Sequence, residues 1–138
     1  MATILPSNYK PTAKEKFMNA KQQEYFRQKL DKWRSELLDE ASETRQNLQE
    51  TSVSEADIAD RASTETDRSL ELRTRDRARK LISKIDEALE RIDAGSYGYC
   101  IETDEPIGLK RLEARPIATL SLEAQERHEK MEKTQRDD

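Results

Sequence analysis

The stretch that decides the fold is Ser69–Cys100, SLELRTRDRARKLISKIDEALERIDAGSYGYC. Ala78, Leu81, Ile85, Leu89 and Ile92 recur at steps of three and four, with Ile82 and Ala88 beside them, and charges fill the other faces. That period is one apolar stripe along an α-helix. Ala94-Gly95-Ser96 ends it, with Gly95 in the position after the last helical turn that favours glycine. Upstream, no glycine or proline occurs from 12 to 94. A second stripe begins after Asn19, a good N-cap residue, and runs through Phe26, Leu30, Trp33, Leu37, Ala41, Thr44 and Leu48. Residues 49–56, QETSVSEA, break the pattern and offer Ser and Thr for a turn. A second helix then runs from about Glu55 to about Asp93. Two helices of roughly 30 to 38 residues joined by a short turn are expected to pair antiparallel, each spanning roughly 45–55 Å.

Around this hairpin the chain is small and very polar. It has 138 residues, 39% charged and 33% hydrophobic, with a mean hydropathy of -1.07. A large compact core is excluded. Residues 1–16, with Pro6 and Pro11, read as a flexible leader; 17–94 as the coiled-coil hairpin with its tip near 51–62; and 95–138 as a small domain plus C-terminal helix. The small domain is expected to hold two short strands about the Thr103–Pro106 turn. A last helix from about Leu120 to Lys133 follows, capped by Thr119 or Ser121. The fold class is therefore mainly α. No apolar run approaches bilayer length, and the N-terminus lacks the pattern of a secretory signal. One cysteine, Cys100, rules out an internal disulfide and points to a reducing cytoplasm.

Net charge is -4, which excludes a generally cationic nucleic-acid binder. The distribution is more telling. Glu36–Glu71 carries 11 acidic and 3 basic residues, and Glu71–Lys84 carries 6 basic and 2 acidic. Asp57 and Asp60, with Ala62, lie at the hairpin turn, where i,i+3 spacing puts both carboxylates on one face. They either complement a helix N-terminus or present a carboxylate pair to a partner. Arg73, Arg77, Lys80 and Lys84 form a basic ridge, read either as a solvated coil surface or as a contact for phosphate or an acidic protein. Arg111 and Arg115, with Lys110, are the basic residues of the small domain. A lone Cys100 is ordinarily a small buried hydrophobe, and His128 a solvated helix residue. No nucleophile–base set, glycine-rich phosphate loop or HExxH motif is present, so no enzymatic activity is expected.

Ser69–Cys100, with IGLKRLEARPIATLSLEAQ at Ile107–Gln125 and a looser match back to about Met18, resembles the DksA/TraR family. Trp33-Arg34 and the D-x-x-D-x-A arrangement at the turn resemble its longer members. The resemblance implies a long coiled-coil hairpin with a zinc-ribbon-like domain. It implies a factor that binds bacterial RNA polymerase through the secondary channel and does not bind DNA. With guanosine tetraphosphate (ppGpp), such factors destabilise open complexes at ribosomal RNA promoters and modulate amino-acid biosynthesis promoters. It places the tip residues on Asp57, Asp60 and Ala62, a polymerase contact on Arg77, and part of the ppGpp site on Lys84 and Arg115; Arg73 of the same ridge is read as a further polymerase contact and Arg111 as a further ppGpp cation.

Two departures stand out. The four zinc-ligand positions of the family hold Cys100, Thr103, Ser121 and Ala124, so no zinc is expected. Packing by Tyr97, Tyr99, Ile107, Leu109, Leu112, Ile117, Leu120 and Leu122 is expected in its place. Gln125 stands where a family lysine meets ppGpp, with Arg127 nearby as a substitute charge. The competing classes are another secondary-channel factor acting on transcript cleavage or elongation, and a self-assembling structural coiled coil. The early end of the apolar stripe argues against the latter, and a monomer with no membrane partner is expected.

Overall fold

The structure, a computed structural model, describes the backbone at residues 4–54 and 58–137 and the side chains at 4–43 and 65–135. Among the described residues four helices follow in order: α1 (Ala20–Ser54), α2 (Ile58–Ala94), α3 (Leu109–Ala114) and α4 (Leu122–Asp137). Asn19 caps α1 as its sequence position predicts: the Gln22 amide donates to Asn19 Oδ1 at 2.9 Å. α1 then continues to Ser54, through most of the stretch expected to break it. Ser, Thr and Val are only weak helix formers, costing roughly 0.5 kcal/mol each against alanine, and nothing in 49–54 forbids a helix. Glu55–Asp57, between the two long helices, lies outside the described residues.

The chain divides into two compact units, Asp31–Asp86 and Met1–Leu30 with Glu87–Asp138. The division falls inside both long helices rather than at Gly95. In the first unit, Arg34 Nε donates to Asp86 Oδ1 at 2.8 Å. Because α1 ends at Ser54 and α2 begins at Ile58, these partners can meet only if the two helices run antiparallel there. Leu37, Ala78 and Ile85 are buried, while Trp33 and Leu81 are half-buried and Leu38, Leu70 and Leu72 are exposed. The stripe therefore survives on a narrow seam and gives out along the helices, as its thin apolar content dictates.

The second unit is a small head built on the ends of both helices. Phe26 and Leu30 of α1, Ala88 and Ile92 of α2, and Tyr97, Ile107, Leu112 and Ile117 beyond them form its core. The Phe26 and Tyr97 rings lie 5.7 Å apart. The Tyr97 hydroxyl donates to the Pro116 carbonyl at 2.7 Å, so its polar end is satisfied inside the core. Lys29 Nζ reaches Glu113 Oε2 at 2.7 Å. The two expected strands reduce to one isolated antiparallel bridge, Tyr99–Pro106. Pro106 has no N–H to extend a ladder, and Gly98 and Gly108, both at positive φ, turn the chain on either side.

Two expectations about this unit are corrected. α3 forms where no helix was expected, burying Leu112 and stopping at Arg115, whose extended backbone precedes Pro116. α4 starts at Leu122, not Leu120, with Ser121 as its cap: the Ala124 amide donates to Ser121 Oγ at 3.2 Å. Leu122, expected to pack, points outward at 59% exposure, and Ala124 is the fully buried residue of that turn. Residues expected as a leader form a series of turns before α1, and Phe17 and Met18 lie in the last of them.

Candidate functional site

Three groups of candidate residues have a place in the structure. The first is the loop pair of the head that holds Cys100, Thr103, Ser121 and Ala124. The Cys100 amide donates to the Glu105 carbonyl at 2.8 Å and the Asp104 amide returns to the Cys100 carbonyl at 2.9 Å. These bonds fold the chain into a tight knuckle, and the Ile101 amide ties it to Thr119 at 2.9 Å. The Cys100 side chain is buried. Burial pushes its thiol up, but hydrogen bonds from the Thr103 hydroxyl and from the backbone amides of Ser121, Glu102 and Thr103 outweigh this and bring it down to about 6. The sulfur is thus surrounded by donors.

These four residues do not fit a zinc ion. Tetrahedral structural zinc needs four N, S or O ligands of adequate basicity. Ala124 offers none and is fully buried, so its methyl occupies a ligand position. The Ser121 hydroxyl accepts the Ala124 amide and the Thr103 hydroxyl bonds to Cys100. Among the described residues no group of three or more His, Cys, Asp or Glu side chains could hold a metal.

The second group is the basic ridge of α2. Arg73, Arg77, Lys80 and Lys84 are all exposed, as i,i+3 and i,i+4 spacing on the outer face of a two-helix unit requires. Leu70 and Leu72 are exposed immediately before it, at 54% and 44%. Their outward placement beside arginines gives the ridge an apolar margin.

The third group lies in the head. Arg115 is exposed just past α3, whereas Arg111 is half-buried and its Nε donates to the Leu120 carbonyl at 2.9 Å. Arg111 therefore braces the loop into α4 besides carrying charge. Gln125 Nε2 donates to Glu129 at 3.3 Å along α4. Arg127 lines an open groove of about 430 Å³ with Thr103, Glu105, Glu123, Glu126 and Lys130. That groove is of mixed charge, so Arg127 is flanked by carboxylates. His128 pairs with Glu102, which docks α4 on the knuckle and gives this histidine a partner that sequence reading did not assign. Of the tip residues, Asp57 lies outside the described residues; Asp60 and Ala62 fall within α2, with side chains outside the described set.

Comparison with known proteins divides the chain just before Gly95, at the end of α2. Residues 22–92 match the model of the DnaK suppressor protein DksA N-terminal domain, and residues 95–130 match the prokaryotic dksA/traR C4-type zinc finger. The RNA polymerase-binding transcription factor DksA of Caulobacter vibrioides is 63% identical over 99% of this chain and 98% of its own length. The protein of the same name from Escherichia coli K12 is 42% identical over 89% of this chain and 80% of its own. The solved structure of transcription factor DksA2 from Pseudomonas aeruginosa superposes with a TM-score of 0.80 at 46% identity, covering 89% of this chain and 93% of that one. With a hairpin and a zinc-finger-like head whose ligand positions no longer suit a metal, the chain belongs to the DksA/TraR family.

Proposed function

We propose that this protein is a transcription regulator that binds bacterial RNA polymerase through its secondary channel. With ppGpp it destabilises open complexes at ribosomal RNA promoters and modulates amino-acid biosynthesis promoters. The observation that carries this reading is the near-full-length similarity to a relative named for polymerase binding, on a chain that keeps the two-helix hairpin. Helices of 35 and 37 residues supply reach, about 50–55 Å each, for a channel that admits only something narrow.

In this reading Asp57, Asp60 and Ala62 form the working tip. Arg73 and Arg77, exposed on α2, hold the polymerase, and the adjoining leucines suit a partner surface that is both acidic and apolar. Lys84, Arg115 and Arg111 contribute cations to ppGpp, whose phosphates favour guanidinium forks. The protein works without catalysis of its own and without a bound metal.

Transcription in vitro from a ribosomal RNA promoter, with and without ppGpp, tests the assignment on the parent and Asp60→Asn. The parent should inhibit, and more strongly with ppGpp. The variant should bind polymerase within about twofold of the parent, since a single carboxylate typically contributes little to affinity, yet fail to inhibit at saturation. Equal promoter output from both proteins at saturation would overturn the role of the tip.

A further inference from the structure

The turns preceding α1 are built in a way that an idle leader would not need. Met18 has φ 54, in the left-handed region that residues with a side chain rarely enter. Both of its backbone polar groups are held by side chains of the first turn of α1. Its amide donates to Gln22 Oε1 at 2.8 Å, and its carbonyl accepts from Gln23 Nε2 at 2.7 Å. Gln22 is fully buried, an unusual place for an amide, and its own Nε2 reaches the Thr12 carbonyl at 3.4 Å. Such a conformation persists only where its surroundings over-determine it.

What the turn achieves is contact with the knuckle. Phe17 meets Tyr99 edge to face, with centroids 5.4 Å apart. The Met18 side chain is buried against Gly98, where an added Cβ would lie 2.9 Å from Met18 Cγ. Gly98 and Tyr99 are the two residues before Cys100. Further back, Tyr9 anchors the segment: its hydroxyl donates to Glu15 Oε2 at 2.8 Å and its ring packs on Tyr25 of α1. Glu15 in turn accepts from the Thr12 amide and from Asn19.

We infer that Tyr9–Met18 is a strap that clamps the knuckle shut in place of a metal, and that its release is the opening event that exposes Cys100. The knuckle itself is closed by one bridge, a few backbone bonds and the His128–Glu102 pair, and four-ligand zinc chemistry is not open to it. The strap supplies from outside, through Phe17 and Met18, a restraint that metal bonds would supply from within. Opening is then local: the strap and knuckle part while the long helices stay folded.

The single cysteine makes the event measurable in the full-length protein. The rate of Cys100 reaction with an aromatic disulfide reagent is read alongside hydrogen exchange. The amides of Cys100, Ile101 and Ile107 report the knuckle, and those of Ala78 and Ile85 the coil. Phe17→Ala should speed Cys100 labelling and knuckle exchange about tenfold, the size of a lost aromatic contact and its burial, with coil amides unchanged. Tyr9→Phe, which removes only the anchoring hydroxyl, should give about a fivefold increase of the same pattern. Rates within twofold of the parent in both variants would overturn the inference, as would coil amides accelerating as much as the knuckle. Should Phe17→Ala lose its helical structure altogether, Tyr9→Phe decides alone, by the same two criteria.

Discussion

Replacing Gly98 by alanine isolates two physical costs in one methyl group. The first is backbone strain, because Gly98 sits at φ 92, where a side chain is disfavoured. That costs roughly 1–3 kcal/mol. The second is overpacking. The new carbon would lie 2.9 Å from Met18 Cγ, 3.1 Å from Sδ and 3.4 Å from Cε. Methionine is adaptable, but Met18 is only 7% exposed and its backbone is pinned by Gln22 and Gln23, so relief is partial and adds about 1–2 kcal/mol. Gly98→Ala should therefore lose about 2–5 kcal/mol in urea unfolding followed by circular dichroism, with an unchanged m value. Met18→Ala removes the obstructing side chain but not the strain. In the double variant the two losses should fall short of their sum by about 1 kcal/mol or more. A Gly98→Ala protein within about 0.5 kcal/mol of the parent, or strictly additive losses, would refute the account of how strap and knuckle meet.

Two further outcomes follow from the head. The purified protein should carry no stoichiometric zinc, and a strong chelator should leave its melting temperature unchanged; a bound zinc whose removal melts the head would contradict the ligand chemistry of Cys100, Thr103, Ser121 and Ala124. At Glu113, burial raises the carboxyl, but the hydrogen bonds from Lys29 and Tyr25 lower it more, leaving it below the usual value of 4.5. A carboxyl depressed by folding contributes stability that is fully present above its unfolded value and lost as pH falls through the lower folded one. The parent should lose thermal stability more steeply than Glu113→Gln below about pH 4.5, and parallel curves would show the Lys29–Glu113–Tyr25 cluster to be inert.

The two long helices were legible in the sequence because their stripes and the lack of glycine and proline act locally. Asn19 was legible as a cap for the same reason. The stop at 49–56 was misjudged, since weak formers do not break a helix that is already propagating. The head was less readable. Leu122 was expected to pack but faces outward, because Ser121 sets where α4 begins and that turns Ala124 inward. The burial of Gln22 is not legible from its residue type, since nothing in an amide side chain shows that the Met18 turn needs it. A single cysteine excludes a four-cysteine site by count alone, while the positions that lack their ligands are legible only through the family resemblance. The restraint that occupies their place was not legible, because Phe17 and Tyr99 are more than eighty residues apart in the chain. The ridge from Arg73 to Lys84 was visible as spacing, and the structure added its exposure and its leucine margin.

The buried methyl of Ala124 has a thermodynamic meaning. A metal-clamped head owes part of its stability to mass action, a contribution of the form RT ln(1 + [Zn]/Kd) that shrinks whenever free zinc in the cell falls. With a methyl at one ligand position, this head contains no such contribution. Its folded fraction is set by sequence, temperature and pH, and is decoupled from the zinc supply that governs a four-cysteine relative.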